Sequence, residues 1–190
     1  MKQDNFKSPD YYSIDNLLSD ENILVRDSVR EWVRNNASPI IEKAAQDDLF
    51  PKIFLKGISE IGGYGAFLPE KYGGSNIDYI SYGLMMQELE RCDSSLRVLS
   101  SVQSSLVMKL IYDYGKDEVK SKYLNRLANG ELIGCFGMTE SSHGSDPSSM
   151  QTKFKKVKNT YVINGTKRWI GQAPICDLAL VWAKNKESEF

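Results

Sequence analysis

Three side chains near the middle of the chain have the types and spacing of an anion clamp. Arg97 offers a planar guanidinium fork to a carboxylate, and Ser101, one helical turn on, adds a hydroxyl donor. Glu90 lies seven residues before Arg97 and can orient the guanidinium if two helices meet there. A solvated polar face explains the same spacing. It is the favoured reading from spacing alone, because Arg97, Ser101, Ser104 and Met108 fall opposite an apolar stripe of Leu99, Val102, Leu106 and Leu110. The loop from Thr139 to Asp146 is a second candidate, rich in small and hydroxyl side chains. Backbone N–H groups of such a loop can approach a phosphate or a ring edge closely, and Gly144 permits that approach. As a bare pattern it matches any surface turn. His143 has no base or metal partner in the sequence and reads as a loop histidine. Asn164-Gly165-Thr166 matches a glycosylation sequon, which in a hairpin turn reads as coincidence. Gly62-Gly63-Tyr64-Gly65 lacks the Lys and the strand context of a phosphate loop and reads as a helix stop.

The elements that must position these residues change character near Gly130. Before it the pattern is helical. Ser19 offers an N-cap to a helix carrying Val25, Val29, Trp32 and Val33, which Asn35-Asn36 and Ser38-Pro39 end. Ile40, Ile41, Ala44 and Ala45 form the apolar face of a second helix. A third begins near Pro51, carries Ile53, Phe54, Ile58 and Ile61, and ends at Gly62-Gly63. Asp78 caps a fourth, and Asp93 caps a long one that runs to Tyr114, with Gly115 at the C′ position. A last helix covers about residues 117–128. After Gly130 strands are predicted over residues 133–139, 152–158, 161–163 and 178–182, with Asn164-Gly165 as the strongest hairpin signal. The expected fold class is α+β: a helical domain over residues 1–130, then the beginning of an antiparallel β domain over residues 131–190. Residues 151–190 hold eight basic and three acidic side chains, and the alternating lysines are expected to face water. The sheet reads as only begun at Phe190, so the chain is expected to be an incomplete fold.

Composition narrows the function classes. Lys and Arg total 24 against 25 Asp and Glu, a net charge of −1 without the basic excess of a nucleic-acid binder. With 190 residues, 41% of them apolar, the chain can bury one large core or two small ones. No run of about 18 apolar residues predicts a membrane span. Cys92, Cys135 and Cys176 are scattered and odd in number. Two can lie close in space, but no disulfide framework and no zinc-ligand spacing is expected. Asp4, Asp10, Asp15 and Asp20, without an apolar stretch, argue against a secretory or transit signal, and a cytoplasmic, reducing setting is expected.

Several stretches, taken in order, resemble the acyl-CoA dehydrogenase family of flavoproteins, and its glutaryl-specific members in particular. They are Leu68-Pro69-Glu70-Lys71-Tyr72-Gly73-Gly74, Glu88-Leu89-Glu90-Arg91 with Asp93-Ser94, and Ser101-Val102-Gln103-Ser104-Ser105-Leu106. Next come Cys135-Phe136-Gly137-Met138-Thr139-Glu140 with Gly144-Ser145-Asp146-Pro147-Ser148-Ser149-Met150. Asn164-Gly165-Thr166-Lys167-Arg168-Trp169-Ile170 completes the set. The resemblance covers about residues 18–183.

The resemblance implies non-covalent FAD. Phe136, Met138 and Thr139 would line the ring edge, with Gly144 in the loop that follows. Ser145 would hold the pyrophosphate, and Trp169 and Ile170 would pack on the ring. It implies α,β-dehydrogenation of an acyl-CoA thioester, with decarboxylation in the glutaryl-specific members and electrons leaving through an electron-transferring flavoprotein. Glu90, Arg97 and Ser101 would grip the distal carboxylate of glutaryl-CoA, which lifts the clamp above the solvated-face reading. A homo-oligomer is implied, as the family forms tetramers. Two departures stand out. Gly171-Gln172 follows Trp169-Ile170 where a hydroxyl residue is usual, and Ser141-Ser142 stands where the loop often has Pro. The family's catalytic carboxylate falls beyond Phe190, so the 190 residues are expected to form the N-terminal part of the enzyme, inactive alone. The alternatives are a dehydrogenase of ordinary short acyl chains, and a truncated, non-catalytic binding module.

Overall fold

A computed structural model describes residues 10–185 and divides the chain into two units, one ending at Glu131 and the other beginning at Leu132. Residues 1–9, Asp4 among them, and the residues after Asn185 lie outside the described residues. Helices fill the first unit and short strands the second, the order the sequence suggests.

In the first unit the caps do more than start helices. Ser19 opens α1 (Asp20–Trp32): its hydroxyl accepts from the Asn22 N–H and its own N–H donates to Asn22 Oδ1, both at 3.1 Å. Asp78 opens α4 (Tyr79–Cys92) by accepting from the Ser81 N–H at 2.7 Å. The Asn22 amide then donates to Ser81 Oγ (2.8 Å) and Asp78 Oδ2 (3.0 Å), so the two caps are tied together. Two turns on, Arg30 forks onto Glu88, Nε to Oε2 at 3.1 Å and Nη2 to Oε1 at 2.8 Å. The Glu88 side chain is only 1% exposed, and Arg91 approaches it to 3.5 Å. Pairings 22–81 and 30–88 keep a nearly constant offset, so α1 and α4 run side by side in one direction.

Between them in sequence lie α2 (Ile41–Gln46), which buries none of its side chains despite its apolar pattern, and α3 (Ile53–Glu60), whose Phe54 and Ile58 are fully buried. Gly57 has no Cβ to meet the Trp32 ring, so the indole lies against α3 with its edge toward Phe54. The first helix runs on past Trp32 through a π-helical segment, Val33–Ala37, rather than stopping at Asn35-Asn36.

The long helix follows Asp93, which caps it by accepting from the Ser95 N–H. It comprises α5 (Ser94–Ser101), a π-helical segment Val102–Met108, and α6 (Lys109–Tyr114). Its faces differ from the expected pattern. Ser104 and Met108 are fully buried, and Leu106 is 38% exposed. A π segment adds residues per turn and so rotates every later side chain out of the 3.6-residue phase. Gly115 ends the helix in extended rather than left-handed backbone; its missing Cβ leaves room for the Ile111 carbonyl. Next, α7 (Asp117–Ala128) supplies the buried Leu124 and Leu127.

In the second unit β1 (Gly134–Gly137) pairs with β4 (Leu178–Val181), while β2 (Lys153–Val157) lies between β3 (Thr160–Asn164) and β5 (Lys184–Asn185). Only the β2–β3 hairpin is antiparallel. The β1–β4 and β2–β5 pairs are parallel, where an antiparallel sheet is expected from sequence. Long connections return β4 and β5 beside strands they do not follow in sequence, which permits parallel pairing. The hairpin turns at Lys158-Asn159, with Lys158 at φ 54°, not at Asn164-Gly165. Gly165 is needed instead because its backbone lies against Thr152. Lys153, Lys155, Lys156 and Lys158 face water as expected.

Glu88→Gln should lower the stability of the first unit by about 3 kcal/mol, because it leaves Arg30 and Arg91 facing a neutral amide in a water-poor site. Urea unfolding followed by the fluorescence of Trp32 measures the loss; an unchanged midpoint would show that the pair contributes nothing.

Candidate functional site

The first unit holds Glu90, Arg97 and Ser101. The turn at Asp93 folds α5 back against α4, and this brings Glu90 and Arg97 together although seven residues separate them. Arg97 Nε donates to Glu90 Oε2 at 2.6 Å, and Nη1 lies 3.5 Å from Ser101 Oγ. Ser94 Oγ donates to the other Glu90 oxygen at 2.6 Å. Those two hydrogen bonds, that of Ser94 first, hold the Glu90 carboxyl below its ordinary range. The Arg97 side chain is 35% exposed, and among the described residues its Nη2 has no protein partner. A guanidinium held through Nε, with Nη2 unpaired among the described residues, keeps N–H donors of the kind that bind a planar anion. The helix face around it is polar. Tyr82 Oη and Ser105 Oγ are 3.0 Å apart, and burial pushes the Tyr82 phenol up.

Ser100 and Ser104 do something that spacing did not reveal. Both hydroxyls donate to the Gly63 carbonyl (2.5 and 3.1 Å), and the Gly65 N–H donates to Ser104 Oγ at 2.8 Å. The Gly62–Gly65 stretch is thus a helix stop, as expected, and also the anchor of the long helix.

The second unit gathers the loop residues. Phe136 is on β1, half-buried, with its ring edge-on to Trp182 at 6.1 Å. At the exit of β1 three successive backbone carbonyls are occupied. Gly137 accepts from the Trp182 N–H (3.0 Å), Met138 from Lys167 Nζ (2.8 Å) and Thr139 from the Arg168 N–H (2.9 Å). The Thr139 hydroxyl has no protein partner among the described residues. Glu140 and His143 exchange backbone hydrogen bonds at 3.3 Å across Ser141-Ser142, which folds the loop sharply without a proline. His143 makes no side-chain contact that assigns it chemistry, in keeping with its reading as a loop histidine.

The centre of this loop is Glu140, a residue quoted in the sequence motif but given no role there. Its carboxylate is 7% exposed. It accepts from Lys167 Nζ (2.9 Å) and from the backbone N–H groups of Gln151 (2.6 Å) and Thr152 (2.9 Å). Burial alone would raise its pKa, but the hydrogen bonds from Thr152, Gln151 and Lys167 outweigh that and hold it far below the ordinary range. Lys167 therefore ties Met138, Glu140 and the Met150 sulfur to one ammonium, and the loop between Glu140 and Gln151 is closed at its base. Lys167, like Glu140, stands in a quoted motif, but nothing in the sequence pairs two residues 27 positions apart.

Gly144 and Ser145 are exposed in the closed loop, and a Cβ added at Gly144 would meet nothing within 4 Å. The protein itself does not require a glycine there, which leaves the space for a bound group. Trp169 is 80% exposed, in left-handed backbone at φ 59°, with the Arg168 guanidinium 4.5 Å from its ring. Ile170 is half-buried beside it. Gln172, in the Gly171-Gln172 departure, is also left-handed at φ 69°, and its carbonyl accepts from the Ile175 N–H at 2.9 Å. A cavity of about 690 Å³ is lined by Met138, Pro147, Ser148, Met150, Trp182 and Ala183 with neighbouring residues. The arrangement offers an aromatic face, hydroxyls and free loop N–H groups, a set suited to a flat conjugated ring carrying phosphate. The second unit thus brings Phe136, Met138, Thr139, Gly144, Ser145, Trp169 and Ile170 onto one strand, the loop that follows it and the segment after β3.

Comparison with known proteins matches residues 19–131 to the model for the acyl-CoA dehydrogenase N-terminal domain and residues 135–189 to that for the middle domain. A short-chain specific acyl-CoA dehydrogenase of Clostridium acetobutylicum is 35% identical over 87% of this chain and 44% of its own length. A crystal structure of a glutaryl-CoA dehydrogenase from Mycobacterium smegmatis in complex with FADH2 superposes with a TM-score of 0.90. It is 37% identical, over 93% of this chain and 46% of that one. The butyryl-CoA dehydrogenase of Megasphaera elsdenii superposes at 0.82 with 29% identity, over 87% and 44%. The chain thus spans less than half the length of the relatives it matches. No described helix is long and apolar enough to cross a membrane.

Glu140 also sets an acid limit on the second unit. Its folded-state pKa is depressed, so its contribution is fully present above the ordinary carboxylate value of 4.5 and is lost as pH falls toward the folded value. Glu140→Gln should therefore be less stable than the parent at pH 7, and the gap should shrink as pH falls below about 4.5. Urea midpoints read by Trp182 and Trp169 fluorescence at the two pH values test this; a gap independent of pH would contradict it.

Proposed function

Because the chain belongs to the acyl-CoA dehydrogenase family, we propose that it forms the flavin- and substrate-gripping half of a dehydrogenase acting on glutaryl-CoA. The observation that carries the substrate reading is Arg97, held through Nε by Glu90 at 2.6 Å, with Nη2 unpaired among the described residues and the side chain 35% exposed. An ordinary acyl chain would bring apolar carbons against that guanidinium and strip its water without replacing the lost hydrogen bonds. A distal carboxylate replaces them. Ser101 adds a hydroxyl to the same face, and Glu90 keeps the fork aimed rather than serving as a ligand itself.

FAD fits the second unit. Gly144 has the open space a pyrophosphate needs, Ser145 presents an exposed hydroxyl beside it, and Trp169 presents an aromatic face. Phe136 and Met138 supply apolar surface, Thr139 a hydroxyl without a partner among the described residues, and Ile170 the half-buried neighbour of the indole. When bound, FAD would accept hydride from the acyl β-carbon. The chain's own residues orient the thioester and the ring, and keep the loop closed through Lys167. Three acids of the quoted motifs are already engaged and are not the base for the α-proton. Glu88 is committed to Arg30 and Arg91, Glu90 to Arg97 and Glu140 to Lys167, and the resemblance assigns that proton to a carboxylate outside these 190 residues. In this reading decarboxylation follows in the complete enzyme, electrons pass to an electron-transferring flavoprotein, and the enzyme is a homo-oligomer. A cytoplasmic setting is in keeping with three free cysteines.

Similarity to short-chain and butyryl-CoA dehydrogenases supports the second reading, an ordinary short acyl substrate. Binding to the FAD-loaded chain separates the two. Glutaryl-CoA should bind more tightly than butyryl-CoA, and Arg97→Ala should weaken glutaryl-CoA by roughly 10- to 100-fold while leaving butyryl-CoA unchanged. Equal loss for both ligands, or none, would favour the second reading. Glutaryl-CoA added to the FAD-loaded chain should leave the flavin absorbance unbleached; rapid bleaching would place a working base within these residues.

A further inference from the structure

Cys135 and Cys176 are 41 positions apart, yet the Cys176 thiol donates to Cys135 Sγ at 3.4 Å. Backbone pairing holds them there. The Asp177 and Leu178 N–H groups donate to the Ile133 carbonyl at 2.7 and 3.2 Å, and the Ile133 N–H donates to Asp177 Oδ2 at 2.8 Å. Cys135 itself pairs with Ala179 in the β1–β4 register. The strands are therefore locked on both sides of the two sulfurs. A disulfide needs the sulfurs roughly 1.4 Å closer, a distance that side-chain rotation and the turn over residues 170–176 can supply. That turn is held by Ala173 N–H to Ile170 O at 3.3 Å and Ile175 N–H to Gln172 O at 2.9 Å.

We propose that Cys135 and Cys176 are a redox modification site, oxidised reversibly to an intramolecular disulfide by low-molecular-weight disulfides. Exposure fixes the order of steps. Cys176 is half-buried and within reach of a small molecule, whereas Cys135 is 4% exposed. The Cys176 thiolate attacks one sulfur of the external disulfide, forming a mixed disulfide and releasing one small thiol. Cys135, as thiolate, then attacks Cys176 Sγ, forming the internal bond and releasing the second small thiol. Two protein thiols lose two electrons and two protons, and the external disulfide becomes two thiols. Burial first, then the hydrogen bond and charge of Cys176, push the Cys135 thiol up to about 11. Once Cys176 is in the mixed disulfide its charge is gone, so Cys135 ionises more easily at the second step than at the first. The bond staples the end of β1 that leads to Phe136 to the turn that follows Trp169 and Ile170.

The test uses the whole chain with oxidised glutathione at neutral pH, followed by alkylation and peptide mass mapping. The expected product carries a Cys135–Cys176 cross-link, is about 2 Da lighter than the reduced chain, reverts with dithiothreitol, and leaves Cys92 free to alkylate. Its melting temperature should rise by roughly 5 °C over the reduced form. Cys135→Ala should stop at a glutathione adduct on Cys176, and Cys176→Ala should leave Cys135 unmodified. Cys135 and Cys176 both still alkylatable after oxidation, a lasting adduct on Cys176 in the unmutated chain, or a pairing that includes Cys92 would each overturn the proposal. The mass readout does not involve flavin, so it stands or fails apart from the functional reading.

Discussion

A carboxylate removed from water must be met by donors and a cation, and Glu140 meets that requirement in a way that organises the second unit. Three donors converge on it from Lys167, Gln151 and Thr152, parts of the chain 11 to 27 residues away. Because Lys167 also holds the Met138 carbonyl, one ion pair fixes the exit of β1, the closure of the loop and the segment leading to Trp169. The loop itself is then free of structural duty at its tip. Gly144 and Ser145 are exposed, and the hydroxyl and N–H groups there remain for something other than the fold. Glu88 follows the same rule in the first unit, where Arg30 and Arg91 meet it and set α1 against α4.

The cations sort by what is left of their hydrogen-bonding capacity. Arg30 and Lys167 point at buried carboxylates and serve the fold. Arg97 is held through one nitrogen by a half-exposed Glu90, which leaves the end of its guanidinium open. A charge that is oriented but not satisfied is what a binding site needs, and the same residue buried against a fully paired acid would be structural. Composition cannot separate these cases, since all are basic residues and the fold decides which acid each one meets.

The long helix shows how a local change of geometry alters which residues are available. Serines 100 and 104 are drawn inward to the Gly63 carbonyl and the Gly65 N–H, while Leu106 turns outward. Arg97 and Ser101 precede the π-helical segment, so they keep the face that a 3.6-residue repeat assigns them. The residues after it do not.

Much was legible from residue types alone, because caps, breaks and turn signals act over three or four positions. Ser19, Asp78 and Asp93 start their helices where sequence places them, and the change from helix to strand near Gly130 follows from periodicity. The motifs around Phe136, Thr139 and Trp169 marked the family in the same way. Contacts between distant positions were not legible. The roles of Glu140 and Lys167, the approach of Cys135 to Cys176 in particular and the parallel pairing of β1 with β4 each depend on where the chain returns. Asn164-Gly165 shows the same limit: its dipeptide signals a turn, yet the packing of Gly165 on Thr152 uses the glycine for close approach and the chain turns at Lys158-Asn159. Sequence specified which residues can bond, and tertiary structure decided which partners came within bonding distance.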